Sequence, residues 1–175
     1  LVPVVMAILN ILVAPHPLLK QKAKPVAAVD GRVRKLLDDM VETMYEAKGI
    51  GLAAPQVGVL ERVVVIDVHE KDEPPNPIKL VNPEIVWESP ERTVYEEGCL
   101  SVPEQYADVT RPKAVRLRYL DENGVSHEID AEGMLATCVQ HELDHLEGTL
   151  FVDHLSMLKR NMILRKVQKM QKQRA

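Results

Sequence analysis

Aromatic residues are scarce: one Trp, one Phe and four Tyr, 3% of 175 residues. A core must therefore rest on Val, Leu, Ile and Met. Only two cysteines are present, Cys99 and Cys138, too few for a disulfide framework. A reducing compartment is the default for such a chain, with each thiol free to ligate or to pack. No run approaches the ~20 apolar residues of a spanning helix, which excludes membrane insertion by that route. The apolar opening, residues 1–13, contains Pro3 and Asn10 and lacks a basic start and a small-residue cleavage site. It does not read as a secretory signal. Met6 is the first Met, so Leu1–Val5 reads as an upstream extension or a remnant added to the chain. No repeat and no low-complexity segment is present.

Hydrophobic residues make up 46%, ordinary for a folded domain, so global disorder is excluded. The length suits one domain spanning residues 1–175. Lys and Arg number 22 against 26 acids, net −4, with no overall signature of DNA or membrane binding. The distribution is uneven. Residues 156–175 hold seven basic residues (Lys159, Arg160, Arg165, Lys166, Lys169, Lys172 and Arg174) and no acid. The rest of the chain is net −11.

Apolar periodicity predicts a first helix. Val33, Leu36, Leu37, Met40, Val41 and Met44 form one stripe, with Asp30 as N-cap and Gly49 as the stopping glycine. Three glycines and Pro55 in residues 49–58 predict a buried, sharply shaped loop. Arg62–Val68 reads as a central strand, and His69–Pro77 as a loop. Lys79–Val81, Ile85–Trp87 and Arg92–Glu96 read as short strands separated by Asn82-Pro83 and Ser89-Pro90. Asn123-Gly124 between Val115–Leu120 and Val125–Ile129 predicts a hairpin. A helix is expected from Glu132 to Glu147, and a third from Ser156 with Leu158, Met162, Ile163, Val167 and Met170 on one side. Met40, Met44, Met157, Met162 and Met170 are expected to pack. The fold class is α+β: antiparallel strands wrapped around a central helix that binds a metal, with an N-terminal and a C-terminal helix.

The most informative stretch is Gln140-His141-Glu142-Leu143-Asp144-His145, an H-E-x-x-H pattern. One helical turn separates the two histidines, so both imidazoles can reach one ion. Glu142 follows the first ligand and can take a proton from water bound there. Two histidines do not complete a catalytic site, which usually has three protein ligands. A metzincin would carry a third His at position 151, where this chain has Phe151. Asp153, His154 and Cys99 remain as candidate third ligands. Cys138 lies on the apolar helix face and reads as a packing residue.

Three segments occur in order: Gly49-Ile50-Gly51-Leu52-Ala53-Ala54-Pro55-Gln56, Glu97-Gly98-Cys99-Leu100-Ser101, and the H-E-x-x-H stretch. Together they resemble the three signature motifs of the peptide deformylases. The resemblance implies a metal-dependent hydrolase that removes the formyl group from the N-terminal formyl-methionine of newly made polypeptides. It implies Cys99, His141 and His145 as ligands of one divalent ion, Fe(II) in the cell, with Zn, Ni or Co able to replace it in purified protein. It implies attack of metal-bound water on the formyl carbon, with Glu142 as general acid and base. Gln56 and the Leu100 backbone N–H would form the oxyanion hole. Ile50, Gly51 and Glu97 would frame the substrate, and Met134, Thr137 and Cys138 would line the methionine pocket. A Glu97–Arg111 pair would brace the Cys99 segment, and Asp144 is a candidate to orient an imidazole. The chain departs from the family at Tyr106, where relatives often carry an Arg that contacts substrate.

The same resemblance implies nascent polypeptides as partners, ribosome contact through the basic C-terminal helix, a monomer, and a bacterial cytoplasm (an organelle if a transit peptide has been removed). Two alternatives differ in kind. An H-E-x-x-H endopeptidase would take its third ligand downstream and leave Gln56 and Cys99 without roles. A metal-stabilised module binding nascent chains or ribosomal RNA would need a fourth, closing ligand and no Glu142.

Overall fold

The computed structural model describes residues 7–174; the extension read at Leu1–Val5 lies outside the described residues. Helix α1 spans Gly31–Glu46, α2 Gly133–Leu146 and α3 Met157–Arg174. The strands are β1 Gly51–Ala53, β2 Val63–Ile66, β3 Ile78–Glu88, β4 Arg92–Cys99, β5 Val102–Pro112, β6 Ala114–Leu120 and β7 Ser126–Glu132. The class is α+β. Five strands form an antiparallel sheet in the order β1-β2-β3-β6-β7, and β4 with β5 forms a separate hairpin. Helix α2 packs against strands of both sheets. Its residues from Ala136 to Glu142 are all buried, as a helix enclosed on more than one side requires.

Asp30 caps α1 as expected, its carboxylate accepting from the Val33 N–H at 3.1 Å. Val33, Leu37, Met40 and Met44 are fully buried beneath it. Gly49 does not supply the left-handed turn that ends this helix. Lys48 does, with φ 58°, and the Gly49 N–H bonds the Met44 carbonyl. Gly49 is needed for contact instead: an added Cβ would lie 2.7 Å from the Leu100 side chain.

Two further expectations are corrected. Asn82-Pro83 does not separate two strands. β3 runs through it, with Asn82 at φ 51° and a register shift against β6 between Val81 and Glu84. The Asn82 side chain bonds both the N–H and the carbonyl of Val26, which holds this bulge in place. Strand β4 continues past Glu96 to Cys99, because β5 pairs with it from Arg92↔Pro112 to Gly98↔Tyr106. That partner strand was not foreseen.

The hairpin joining β6 and β7 is present, with Gly124 left-handed at φ 77°. Along α3 the expected stripe packs only in part. Val167 is buried and Ile163, Leu164 and Met170 are half-buried, whereas Met157, Leu158 and Met162 are exposed.

Candidate metal centre

Three kinds of element deliver the candidate functional side chains. Cys99 ends β4, where the ladder stops and the chain turns towards β5. His141, Glu142 and His145 share the inner face of α2. Gln56 sits in a short 3₁₀ turn, Ala54–Val57, directly after β1.

The ligand atoms of Cys99, His141 and His145 lie within 4.8 Å of one another. The Cys99 Sγ is 3.3 Å from His145 Nε2. His141 Nδ1 meets the Glu97 carboxylate at 2.9 Å, so its Nε2 is left for another partner. Glu97 in turn receives two bonds from Arg111, Nε to Oε2 at 2.7 Å and Nη2 to Oε1 at 2.9 Å. Burial alone would raise the Glu97 carboxyl. The bonds from His141 and Arg111 outweigh it and hold the group down at about 2. Burial, reinforced by His141 and Arg111, pushes His145 well below its ordinary value, so it stands as neutral imidazole.

One thiolate and two imidazoles suit a divalent transition metal and leave a coordination position open. Two buried atoms beside them, Glu142 Oε2 and His145 Nδ1, have no hydrogen-bond partner among the described residues. An unpartnered carboxylate oxygen at this place fits a group that handles a water molecule. Burial raises the Glu142 carboxyl to about 7, against the opposing pull of the His141 charge. That is the range in which a carboxylate both takes and returns a proton near neutral pH.

Gln56 is 1% exposed, and its amide orientation is set by the backbone. Its Oε1 accepts from the Ala53 N–H at 2.9 Å. Nε2 therefore faces the ligand cluster, donating to Ser101 Oγ at 3.1 Å and lying 3.5 Å from Cys99 Sγ. Ser101 was not singled out in the sequence, although it closes the Glu97–Ser101 motif; its hydroxyl holds the other end of the amide.

A 410 Å³ cleft opens onto this cluster. Ile50, Gly51, Leu100, Met134, Thr137 and Cys138 line it together with Cys99, His141 and Glu142. Ile50 and Met134 stand at its exposed mouth. Glu97 also borders the cleft, but its carboxylate is committed to His141 and Arg111. Tyr106 lies flat over Gly98, where an added Cβ would meet the ring at 2.5 Å. Burial, with the Glu142 charge adding to it, pushes the Cys138 thiol well above its ordinary value, and its Sγ lies 3.7 Å from the Ile50 carbonyl.

The other candidate ligands do not reach the cluster. Asp153 binds the Leu150 N–H and Arg160, and His154 meets Asp144 at 2.8 Å. Asp144 holds no ligand imidazole. It accepts from Arg111 Nη1 at 2.9 Å and so braces the arginine that braces Glu97.

Comparison with known proteins agrees with this geometry. The profile of the family described as Polypeptide deformylase matches residues 8–161. A Peptide deformylase of Phenylobacterium zucineum is 58% identical over 94% of this chain and 97% of its own length. One from Mesorhizobium japonicum is 52% identical over 97% of both. The crystal structure of peptide deformylase from Ehrlichia chaffeensis in complex with actinonin superposes with a TM-score of 0.90 at 44% identity, covering 94% of this chain and 98% of that one. A peptide deformylase from Acinetobacter baumannii, solved with Met-Ala-Ser bound, has a TM-score of 0.82 at 38% identity over 86% of this chain and all of that one. The chain is a hydrolytic enzyme and belongs to the polypeptide deformylase family.

Proposed function

We propose that the enzyme removes the N-terminal formyl group from newly made polypeptides beginning with formyl-methionine, using the residues gathered at the cleft. The observation that carries this reading is the meeting of three ligand atoms, an unpartnered Glu142 oxygen and the Gln56 amide around one opening. Cys99, His141 and His145 hold one divalent ion, Fe(II) in the cell, and the same donors accept zinc, nickel or cobalt. The ion supplies Lewis acidity, which makes water a nucleophile near neutral pH.

The rest of the work falls to the chain. Glu142 takes the proton of the attacking water and delivers it to the departing amine. Gln56 Nε2 and the Leu100 N–H donate to the oxygen that gains charge as the formyl carbon becomes tetrahedral. Such donors contribute about 3–4 kcal/mol each when already in place. Glu97 and Arg111 keep His141 in one tautomer and one orientation. The side chains lining the cleft beyond Glu142 receive the first residue of the substrate.

The acid-free helix α3 offers its Lys and Arg residues to the ribosome, where the substrate emerges. The setting we assign is a bacterial cytoplasm and the working form a monomer. No described helix is long and apolar enough to cross a membrane.

Formate release from formyl-Met-Ala-Ser by the metal-loaded protein tests the reading. Turnover is expected in the wild type. Glu142→Gln should retain its metal and lose at least ~10²–10⁴-fold in kcat. A Glu142→Gln enzyme of normal activity would overturn the assigned role, and a loaded wild type that releases no formate would overturn the function.

A further inference from the structure

Thr137 is a polar residue in a part of the cleft otherwise formed by apolar or sulfur-bearing side chains. It lies one helical turn before His141 on the same face of α2, beside Met134 and Cys138. The residue is 7% exposed, and its Oγ1 is fully buried with no hydrogen-bond partner among the described residues. The carbonyl one turn back, at Gly133, does not accept from it. Threonines inside helices usually use that carbonyl, and they choose between two χ1 rotamers accordingly. A buried hydroxyl with no partner is unfavourable, and a cleft that fills during turnover can supply the missing one.

The scale of the site says which atom would arrive. One helical turn rises about 5.4 Å. With the reacting carbon beside His141 in the proposed reaction, a methionine sulfur stands five bonds away, through N, Cα, Cβ and Cγ, a reach of about 6 Å when extended and so close to one turn. The third heavy atom of the side chain then falls within reach of Thr137. In methionine this atom is the thioether sulfur, a weak acceptor; in norleucine it is a methylene, which accepts nothing.

We propose that the Thr137 hydroxyl selects for an acceptor in the substrate's first side chain, so that the enzyme favours methionine over its carbon isostere norleucine. The inference rests on the deformylase reading of the same cleft. On binding, the hydroxyl turns from its unpartnered position and donates to the sulfur, with its methyl taking the place it leaves. Norleucine fills the same volume but leaves the hydroxyl buried and unpaired.

The experiment compares kcat/KM for formyl-Met-Ala-Ser and formyl-norleucyl-Ala-Ser in the metal-loaded wild type, Thr137→Val and Thr137→Ser. The wild type should prefer methionine by about threefold to tenfold, the range of one modest hydrogen bond. Thr137→Val keeps the shape and removes the hydroxyl, so its ratio should fall to about one. Thr137→Ser keeps the hydroxyl and should keep the preference. A wild type that uses both substrates equally overturns the proposal without any variant. So does a Thr137→Val enzyme with the wild-type ratio, or a loss of preference in the serine variant, which would make volume the cause. Failure to hydrolyse either substrate would instead count against the deformylase reading itself.

Discussion

Gly51 sits against Glu142, the carboxylate to which the proposed mechanism gives the proton transfer. An added Cβ there would lie 2.8 Å from Glu142 Oε1 and 2.9 Å from Cys138 Sγ. Neither neighbour can retreat freely, since both side chains are buried on α2. Gly51→Ala should therefore displace Glu142 while leaving the three ligands in place. A shift near 1 Å at such a group costs about 10²-fold in rate. The expected result is a variant with normal metal content and about a hundredth of the wild-type kcat, read by metal analysis and formate release on the same sample. Glycine is required here by proximity. The sequence showed a glycine-rich loop but not what it touches, because the neighbour is more than eighty residues away along the chain.

Helix α3 packs one side onto the body of the protein and turns basic residues outward. Val167 is buried in a cluster with Val102, Val109 and Phe151, so cutting the chain at Ser156 would open part of the core. Charge is better tested on the outer face. Arg165, Lys166 and Lys169 are exposed and make no ion pair among the described residues. Replacing all three by Glu should abolish salt-sensitive co-sedimentation with ribosomes and leave turnover of small peptides unchanged, since counterion release scales with the phosphates contacted. Equal sedimentation of the triple variant would remove this role from the helix. Elements of this kind differ in how legible they are. Helix α1 declared itself through apolar spacing and its Asp30 cap, and the three candidate ligands through the H-E-x-x-H pattern and the family resemblance. Strand β5 did not, because Glu104, Tyr106 and Asp108 face solvent and alternate with Pro103, Gln105 and Ala107, which are only partly buried, and its pairing is specified by backbone contact with β4. The Asp144–Arg111–Glu97 chain was legible only in pieces, since three separate elements bring its members together.

At the scale of the molecule, the site writes itself into acid stability. Glu97 has an ordinary value of 4.5 and is held at about 2 in the fold. Its folded value is depressed, so its contribution is complete above pH 4.5 and is lost as pH falls towards 2. Glu142 runs the other way. Its value is raised from 4.5 to about 7, so the fold binds that proton more tightly and stability falls as pH rises from 4.5 to 7. In metal-free protein, thermal melts across pH 2–8 should show both flanks. Glu142→Gln should flatten the upper flank. Glu97→Gln should flatten the lower one, and should lower stability at neutral pH by leaving the buried Arg111 poorly paired.

The division of the candidate ligands between β4 and α2 has a mechanical consequence. The hairpin of β4 and β5 is not part of the five-stranded sheet, and Cys99 stands at its tip. An ion bound by Cys99 and His141 therefore acts as a clasp, closing the loop of chain between residues 99 and 141. For a covalent crosslink over a loop of that length, chain-entropy reasoning gives about 4 kcal/mol, and a reversible clasp draws on the same source. Stripping the metal with a chelator should lower the melting temperature. It should also speed amide exchange first in the paired backbone of β4 and β5, before that of β2 and β3. Uniform acceleration across both sheets would show that the hairpin keeps its seat without the clasp.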